Sequence, residues 1–409
     1  MKPFDITTVR NDFPALQQQV HGKPLIYLDS AATAQKPQCV VEAIDEMNAK
    51  LNANIHRAVH YLAIQCTERY EQARETVRRF INAQKTQEIV FTAGTTAAIN
   101  LVAFSFGERF VRRGDEIVLT EAEHHSNIVP WQLLCERKGA VLKVVPVDDT
   151  GRLQTERLPE FFTDKTRILC VTQVSNVLGV VNPVKEIIRL AHAHHVPVLV
   201  DGAQGIVHES ADVQDMDCDF YVFSGHKLYG PTGIGVLYGK EEWLEQLPPY
   251  QGGGDMIASV SFDKTTYAGL PLKFEAGTAN YIGAHGLAAA INYIQKQTRA
   301  AIHAHEQQLT AYAARQLSTV KGLRTYGTAT PKTSVWSFSM EGVHPSDAAA
   351  ILDKLGIAVR TGRLCADTLM QRFQLQGMIR ASLALYNTKE EIDALVNGLQ
   401  QVQKMLSGH

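Results

Sequence analysis

Between about residues 86 and 240, short apolar runs rich in β-branched and aromatic residues alternate with segments of helical periodicity. The apolar runs read EIVFTAG, EIVLTEAEHH, VLKVVPVD, RILCVTQVSN, VPVLVDGAQG and DFYVFSGHK, with helical stretches such as TTAAINLVAFSFGERF and PVKEIIRLAHAHH between them. This alternation predicts βαβ crossovers, and therefore a mostly parallel sheet with helices on both faces. Ligands of such sheets gather at the carboxyl ends of the strands. Gly94, Asn176, Asp201 and Lys227 all lie at or just after a predicted strand end.

The C-terminal third of the chain has a different pattern. From about residue 283 a long alanine-rich helical stretch, GLAAAINYIQKQTRAAIHAHEQQLTAYAARQL, precedes the shorter apolar runs SVWSFSM, GIAVRTG and MIRASLALYN. We interpret this as a connecting helix that leads into a smaller α/β domain. The predicted division is a large domain at residues 21–285 and a small domain at residues 286–409, with the N-terminal segment 1–20 packed on the small domain.

Size and charge narrow the class of protein. The 409 residues are 45% hydrophobic, which is enough for a large core, and 40 basic against 42 acidic residues give a net charge of −2. The chain therefore has no overall positive charge that would attract nucleic acid or an anionic membrane. The six cysteines form no CxxC pair, and no apolar run approaches the roughly 18 residues of a membrane span. We predict a cytoplasmic protein with reduced thiols, and neither nucleic acid nor membrane as a partner.

A histidine cluster, HAHH at residues 192–195, raises the question of a metal site. The cluster ends a predicted amphipathic helix, where cationic side chains complement the helix dipole. We therefore predict that the chain has no metal site.

Lys227 is the most informative residue of the chain. It follows the apolar strand DFYVF in the stretch SGHKLYGPTGIG, where a lone lysine would ordinarily extend to water. Asp201 ends VPVLVD, and a lone aspartate at that position usually caps a helix. Together, an amine and a buried acid at one sheet edge fit pyridoxal phosphate, which a lysine holds as a Schiff base and whose ring nitrogen an aspartate keeps protonated.

A phosphate-binding turn accompanies this pair. In TAGTTAAIN, Thr95 and Thr96 begin a helix after a glycine turn, and the free amides and partial positive charge of a helix N-terminus suit a phosphate group. The turn alone is weak evidence, because threonine caps many helices. Ser224 and His226 supply further donors beside Lys227. In EHHSN, His124 is placed to lie flat on a planar ring, although a lone histidine there is more often an ordinary polar residue.

Longer motifs point to one family. They include YLDSAATAQKP, NIHRAVH, GTTAAINLVA, EAEHHSNIVPW, VDGAQG, SGHKLYGPTGIG, FEAGTAN and IRASLALYNT. Through these motifs nearly the whole chain resembles cysteine desulfurases of the SufS/CsdA type, in the class V aminotransferase branch of fold-type I pyridoxal-phosphate enzymes. The resemblance implies a large domain with a mostly parallel seven-stranded sheet between helices, a smaller α/β C-terminal domain and a homodimer.

The resemblance also implies roles for the cofactor site. Lys227 carries the Schiff base and acts as the base, Asp201 pairs with the ring nitrogen, and His124 stacks on the ring. Gln204 is expected near the O3′ oxygen, and Asn176 near the cofactor or the substrate. The phosphate contacts implied are Thr95, Thr96, Ser224 and His226, together with Thr278 from the other subunit.

The substrate side of the site is implied in the same way. Cys365 in VRTGRLCAD matches the cysteine that takes up the substrate sulfur, although a single cysteine is often an inert core residue. Arg380 matches the arginine that binds the substrate carboxylate through a bidentate fork. Further substrate contacts are expected from Arg360, His56 and Arg57, with Asn176. The implied reaction converts L-cysteine to L-alanine and leaves a persulfide on Cys365.

Sulfur transfer is the last step that the resemblance implies. The persulfide passes to an acceptor protein of the SufE/CsdE type, for iron–sulfur clusters or another sulfur-transfer pathway. Because only the thiolate is nucleophilic, a nearby cation matters, and we propose that Arg360 or Arg363 favours the thiolate of Cys365.

The chain departs from the family pattern at three places. It reads RTGRLCA where relatives read RTGHHCA, so Arg363 and Leu364 replace two histidines, and it reads AGTTA for RGTTE and AGTAN for AGTPN. The alternatives are a selenocysteine lyase acting on L-selenocysteine or a cysteine β-lyase of the same branch, which would not need Cys365. A non-catalytic scaffold is a further alternative, but buried Lys227 and Asp201 would cost free energy without a ligand.

Overall fold

The computed structural model describes residues 4–406. The strands in this range are β1 (Gln19–Val20), β2 (Lys23–Pro24), β3 (Ile26–Tyr27), β4 (Ile89–Thr92), β5 (Glu116–Thr120), β6 (Val141–Val145), β7 (Thr166–Thr172), β8 (Val198–Asp201), β9 (Phe220–Ser224), β10 (Gly235–Gly239), β11 (Ile257–Val260), β12 (Thr265–Tyr267), β13 (Leu323–Tyr326), β14 (Val335–Met340), β15 (Ile357–Ala358), β16 (Arg360–Gly362) and β17 (Met378–Ser382).

The helices of the same range follow the apolar periodicity of the chain. They are α1 (Ile6–Asn11), α2 (Gln38–Lys50), α3 (Tyr61–Phe80), α4 (Thr95–Phe110), α5 (Val129–Lys138), α6 (Leu158–Phe161), α7 (Val184–Ala193), α8 (Gly205–His208), α9 (Val213–Met216), α10 (Glu241–Gln246), α11 (Tyr281–Gln297), α12 (Arg299–Leu317), α13 (Pro345–Lys354), α14 (Asp367–Arg372) and α15 (Lys389–Leu406). Across residues 4–406, none of these helices has the length and apolar character that crossing a bilayer requires.

The large sheet has the strand order β4-β10-β9-β8-β7-β5-β6. Strands β5 to β9 pair in parallel, and β10 runs antiparallel to both β4 and β9. The prediction of a mostly parallel seven-stranded sheet is therefore confirmed. Strands β8 and β9 are buried along their whole length, as expected when helices cover both faces.

Alternate residues of each strand supply two separate cores. On β8, Leu199 packs into the core formed with α4 and α5, which includes Phe106 and Trp131. Its neighbours Val198 and Val200 face the opposite side, in the core that α3, α7 and α11 cover. The side-chain period of two along the strand fixes this division, and it leaves the strand ends to form the ligand edge.

The smaller sheet is antiparallel, with the order β13-β14-β17-β16, and α12, α13 and α15 pack against it. Within the N-terminal segment 1–20, Arg10 lies 2.8 Å from the Glu391 carboxylate of α15. Phe13, from the same segment, contacts Tyr293 of α11 and also Tyr386, which follows β17. Strand β3, which falls within the predicted large domain, also pairs with β15 of this lobe. The predicted boundary after residue 285 falls inside α11, and the division of the chain into two domains stays a prediction.

The connecting helix differs from the sequence pattern. One continuous alanine-rich helix was expected, but the chain forms α11 and α12 with a break at Thr298, where φ is 62° and ψ is 124°. Such a backbone is uncommon for a β-branched residue and indicates that tertiary contacts impose the break. Arg299 supplies them, because its guanidinium binds the Ile206 carbonyl and lies 4.8 Å from the centre of the Phe80 ring.

Candidate active site

A cavity of about 610 Å³ opens at the carboxyl ends of β7, β8 and β9, with residues of both sheets in its wall. It brings together most of the side chains that the sequence singled out. These are Thr95, Thr96, His124, Asn176, Asp201, Gln204, Ser224, His226, Lys227, Arg360, Cys365 and Arg380.

Lys227 and Asp201 bring an amine and an acid to the ends of the neighbouring strands β9 and β8. Lys227 ends the 3₁₀ turn Gly225–Lys227 that follows β9, and Asp201 is the last residue of β8. Burial lowers the pKa of Lys227 to about 8, although Asp201 opposes this by favouring the ammonium. Burial also raises the pKa of Asp201, while the Ala203 amide, 2.9 Å away, and Lys227 favour its carboxylate. A buried carboxylate facing a reactive amine fits the ring nitrogen and the aldehyde of pyridoxal phosphate.

The turn before α4 has room and donors for a phosphate. Gly94 has φ 152°, and a Cβ there would lie 3.3 Å from the Ser224 hydroxyl, so a side chain would narrow the turn. The Thr95 amide donates to Ser224 Oγ at 2.8 Å, and the two hydroxyls are 2.7 Å apart. Thr96 is exposed at the helix N-terminus, 2.7 Å from Ser126 Oγ. Hydroxyls gathered at the positive end of a 16-residue helix fit the phosphate group of the cofactor.

Of the three histidines that line the cavity, His124 and His226 have a strongly lowered pKa, which favours their neutral forms. Burial lowers the pKa of His124 to about 3, with Lys227 as the next cause, and its Nδ1 accepts the Ser126 amide at 3.1 Å. Burial, again with Lys227, lowers the pKa of His226 to about 4. An uncharged imidazole at residue 124 can lie against a cofactor ring without bringing a buried charge.

Sequence reasoning missed Glu123, the residue that immediately precedes His124. Its carboxyl accepts the Thr172 amide at 2.8 Å, the Thr120 hydroxyl at 2.5 Å and the Asn127 side-chain amide at 2.6 Å. Burial raises the pKa of Glu123 to about 8. This acid ties β5 to β7 and so fixes the loop that carries His124. A fully buried glutamate inside EHHSN gives no signal in the sequence beyond its proximity to the histidines.

Residues 29–35 connect the cavity to both lobes. Gln204 donates to the Ala31 carbonyl at 2.7 Å, and the Ala31 amide donates to Ser382 Oγ of β17 at 2.9 Å. The Ala34 amide donates to the carbonyl of His226, the residue before Lys227, at 3.0 Å. The segment therefore links the lysine turn of the large sheet to the small sheet.

The loop that carries Cys365 has an unusual backbone and a buried anchor. Leu364 and Cys365 both have positive φ, 55° and 54°. Leu364 is buried, and its carbonyl accepts the Asn176 side-chain amide at 2.9 Å. Cys365 is exposed at the cavity mouth. Arg363 points outward to Asp367, 2.5 Å away. Where this chain reads RTGRLCA in place of the family's RTGHHCA, Leu364 therefore anchors the loop, and Arg363 forms an ion pair with Asp367 on the surface.

Arg360 and Arg380 oppose each other across β16 and β17. Arg380 is almost completely buried, and its Nη1 donates to the Asn176 carbonyl at 3.0 Å. Its Nε has no hydrogen-bond partner among the described residues. Asp29, which sequence reasoning missed, accepts from Arg380 at 3.2 Å and from Arg360 at 2.9 Å. The Arg380 guanidinium thus retains donors for a carboxylate.

Three of the predicted site residues lie outside this cavity. His56 pairs with Glu71 at 3.3 Å, and Arg57 pairs with Asp255 at 2.6 Å. Thr278 is exposed and lines a separate cavity of about 270 Å³. Within one chain these side chains do not line the cavity that holds Lys227, and their roles stay predictions.

Comparison with known proteins agrees with this geometry. The family model for aminotransferase class-V matches residues 26–395. A cysteine desulfurase of Escherichia coli O157:H7 is 51% identical over 98% of this chain and 99% of its own length. One from Synechococcus elongatus is also 51% identical, but this chain spans only 64% of its length. The crystal structure of the cysteine desulfurase CsdA from Escherichia coli superposes with a TM-score of 0.92 at 42% identity, covering 98% of this chain and 99% of that one.

Proposed function

Because this chain belongs to the class V aminotransferase family, as one of its cysteine desulfurases, we propose that it converts L-cysteine to L-alanine and captures the sulfur as a persulfide on Cys365. The observation that carries the proposal is the meeting of Lys227, Arg380 and Cys365 in one cavity. An amine, a carboxylate-binding arginine and a reachable thiol are the groups that this reaction needs.

The cofactor is pyridoxal phosphate, which when bound stabilises negative charge that develops at the substrate Cα. Lys227 Nζ would hold it, with the Asp201 carboxylate available to its ring nitrogen. His124 would lie against the ring and Gln204 near its O3′ oxygen. Thr95, Thr96, Ser224 and His226 would bind its phosphate.

Arg380 orients the substrate by donating hydrogen bonds to its α-carboxylate from the guanidinium N–H groups that the protein leaves free. Asn176 fixes this geometry, because its carbonyl accepts from Arg380 while its side-chain amide donates to the carbonyl of Leu364. Lys227 Nζ, whose pKa burial lowers to about 8, takes the proton from Cα at neutral to mildly basic pH.

Cys365 Sγ attacks the substrate sulfur. One S–S bond forms and the Cβ–S bond of the substrate breaks, so the enzyme thiol and L-cysteine give an enzyme persulfide and L-alanine without any external oxidant. Because Cys365 is exposed at the mouth, an acceptor protein of the SufE/CsdE type can collect the terminal sulfur for iron–sulfur clusters or another sulfur-transfer pathway.

The assembly that completes the site is a homodimer in the cytoplasm. Thr278, on the exposed surface of one copy, binds the phosphate in the other, and His56 and Arg57 are further substrate contacts. What supports the role of Thr278 is that its side chain is exposed and lies outside the cavity of its own chain.

The test is mass spectrometry of the Cys365 peptide after incubation of the holoenzyme with L-cysteine. We expect one added sulfur atom on Cys365 and none on Cys39, the other exposed thiol. Cys365→Ala should keep the colour of the bound cofactor and lose persulfide formation. Release of sulfide together with pyruvate and ammonia at an undiminished rate by that variant would favour the β-lyase alternative.

A further inference from the structure

The small lobe has a second cavity, of about 660 Å³, against about 610 Å³ for the cavity at Lys227. Residues of helix α12, of strand β13 and of the segment 328–336 line it, and none of them lines the Lys227 cavity. Leu317 and Trp336 are its buried lining residues, whereas Ala311 and Ala314 are exposed. The cavity therefore combines an apolar floor with an entrance from solvent, as small-molecule sites do.

Lys332 is the only ionisable side chain that lines this cavity, among the residues that the structure describes. Its Nζ donates to the Leu178 carbonyl and lies 4.8 Å from the centre of the Trp336 ring. Within residues 4–406 no carboxylate balances this cation, and burial lowers the pKa of Lys332 to about 7. A cation without a counter-charge is costly to bury, so the amine favours an anion beside it.

The other lining groups define the rest of the ligand. Leu317, Leu323 and Trp336 supply apolar surface, and further hydrogen-bonding hydroxyls come from Thr325, Thr328 and Thr330. One cation balances one negative charge, so a carboxylate fits better than a phosphate monoester, which carries nearly two.

We propose that this cavity binds a small monocarboxylic acid, whose carboxylate lies at Lys332 and whose apolar body lies on Trp336 and Leu317. The ammonium is the form of Lys332 that attracts a carboxylate. Below its pKa of about 7 the side chain is already charged, and above it the site must take up a proton when the acid binds. Affinity for the acid should therefore fall as the pH rises.

The test is calorimetric titration of the holoenzyme with cinnamate, and with cinnamamide as the uncharged match. We expect one cinnamate per chain, bound about tenfold more tightly at about pH 6 than at about pH 8, and about tenfold weaker binding of the amide. The visible band of the cofactor should not change, because the probe binds away from Lys227. Lys332→Met should reduce the affinity for cinnamate to that for the amide and remove the pH dependence. Ala314→Trp, at an exposed lining position, should weaken the binding of both probes.

Other outcomes overturn the proposal. Equal affinities for cinnamate and cinnamamide would exclude an anion site at Lys332, and so would a pH dependence that persists in K332M. Binding that A314W leaves unchanged, or that shifts the cofactor band, would place the probe elsewhere. Absence of cinnamate binding up to about 1 mM would remove the site altogether. Because Ala314 is exposed, A314W provides the decisive comparison even if K332M fails to fold.

Discussion

The backbone amide of His125 donates a hydrogen bond to the carbonyl of Cys365 at 3.0 Å. The imidazole of the same residue reaches past the cysteine, with Nε2 lying 2.9 Å from the Asp367 carboxylate. One residue of the turn that follows β5 thus holds the thiol loop of the small lobe at Cys365 itself and at Asp367. Because Leu364 and Cys365 have strained backbone angles, external contacts of this kind are what maintain the loop.

Replacing His125 with alanine removes the side-chain contact and leaves the backbone bond. We expect persulfide formation on Cys365 to slow by about tenfold, because a mobile thiol spends less time in line with the substrate sulfur. The absorption band of the bound cofactor should stay unchanged. His125→Gln, whose amide can occupy the position of Nε2, is the matched control and should restore most of the rate. Equal losses in H125A and H125Q would show that the Asp367 contact does not matter.

Leu364→Ala should destabilise the protein. The side chain is 7% exposed and packs in the large core, so its truncation should cost about 2–3 kcal/mol. Thermal unfolding of the holoenzyme should show a lower midpoint. Arg363→Ala is the neighbouring control, and because that side chain is 62% exposed we expect a change within about 0.5 kcal/mol. A midpoint unaffected by L364A would mean that the leucine does not anchor the loop.

Uptake of the cofactor by the apoprotein should depend on pH through Lys227. Imine formation requires the neutral amine, and burial lowers the pKa of Lys227 from 10.5 to about 8. The rate of appearance of the visible band should therefore rise with pH and level off above about pH 8. A free alkylamine mixed with pyridoxal phosphate is the control, and its rate should keep rising to higher pH. The same continued rise for the protein would contradict a depressed Lys227 pKa.

Borohydride reduction of the holoenzyme should fix the cofactor on Lys227. Peptide mapping should find the pyridoxyl group there, and Lys227→Ala should lack it and remain colourless. Lys36, which binds the carbonyls of Ala34 and His226, is a neighbouring lysine for comparison. Lys36→Met should still carry the adduct on Lys227. A Lys227 peptide without the adduct would support the non-catalytic scaffold.

The strand-end residues were within reach of sequence reasoning. Lys227, Asp201 and Asn176 follow apolar runs, and parallel topology collects such positions at one edge, where the cavity lies. The break at Thr298 between α11 and α12 could not be predicted from the sequence, because the alanine pattern on both sides is helical. The break depends on contacts of Arg299 with residues far away in the chain.

Asp29 and Glu123 were missed for a related reason. A backbone bridge with Ser382 positions Asp29 beside the arginines. The two bridged residues are more than three hundred positions apart in the sequence, and no local pattern encodes such a contact. In the sequence Glu123 resembles an ordinary surface acid. Its burial is evident only from the structure, where it accepts the amide of Thr172 on the neighbouring strand β7. Partners of this kind become visible only when the sheets are assembled.

Residues 29–35 have a mechanical consequence. The segment is bonded to Gln204 and His226 on one lobe and to Ser382 and Arg380 on the other. A clamshell motion of the lobes would have to break these bonds together, at the moment when the amine and the thiol must keep their alignment. The two lobes consequently keep one arrangement, and the substrate enters a pocket whose shape exists before it binds.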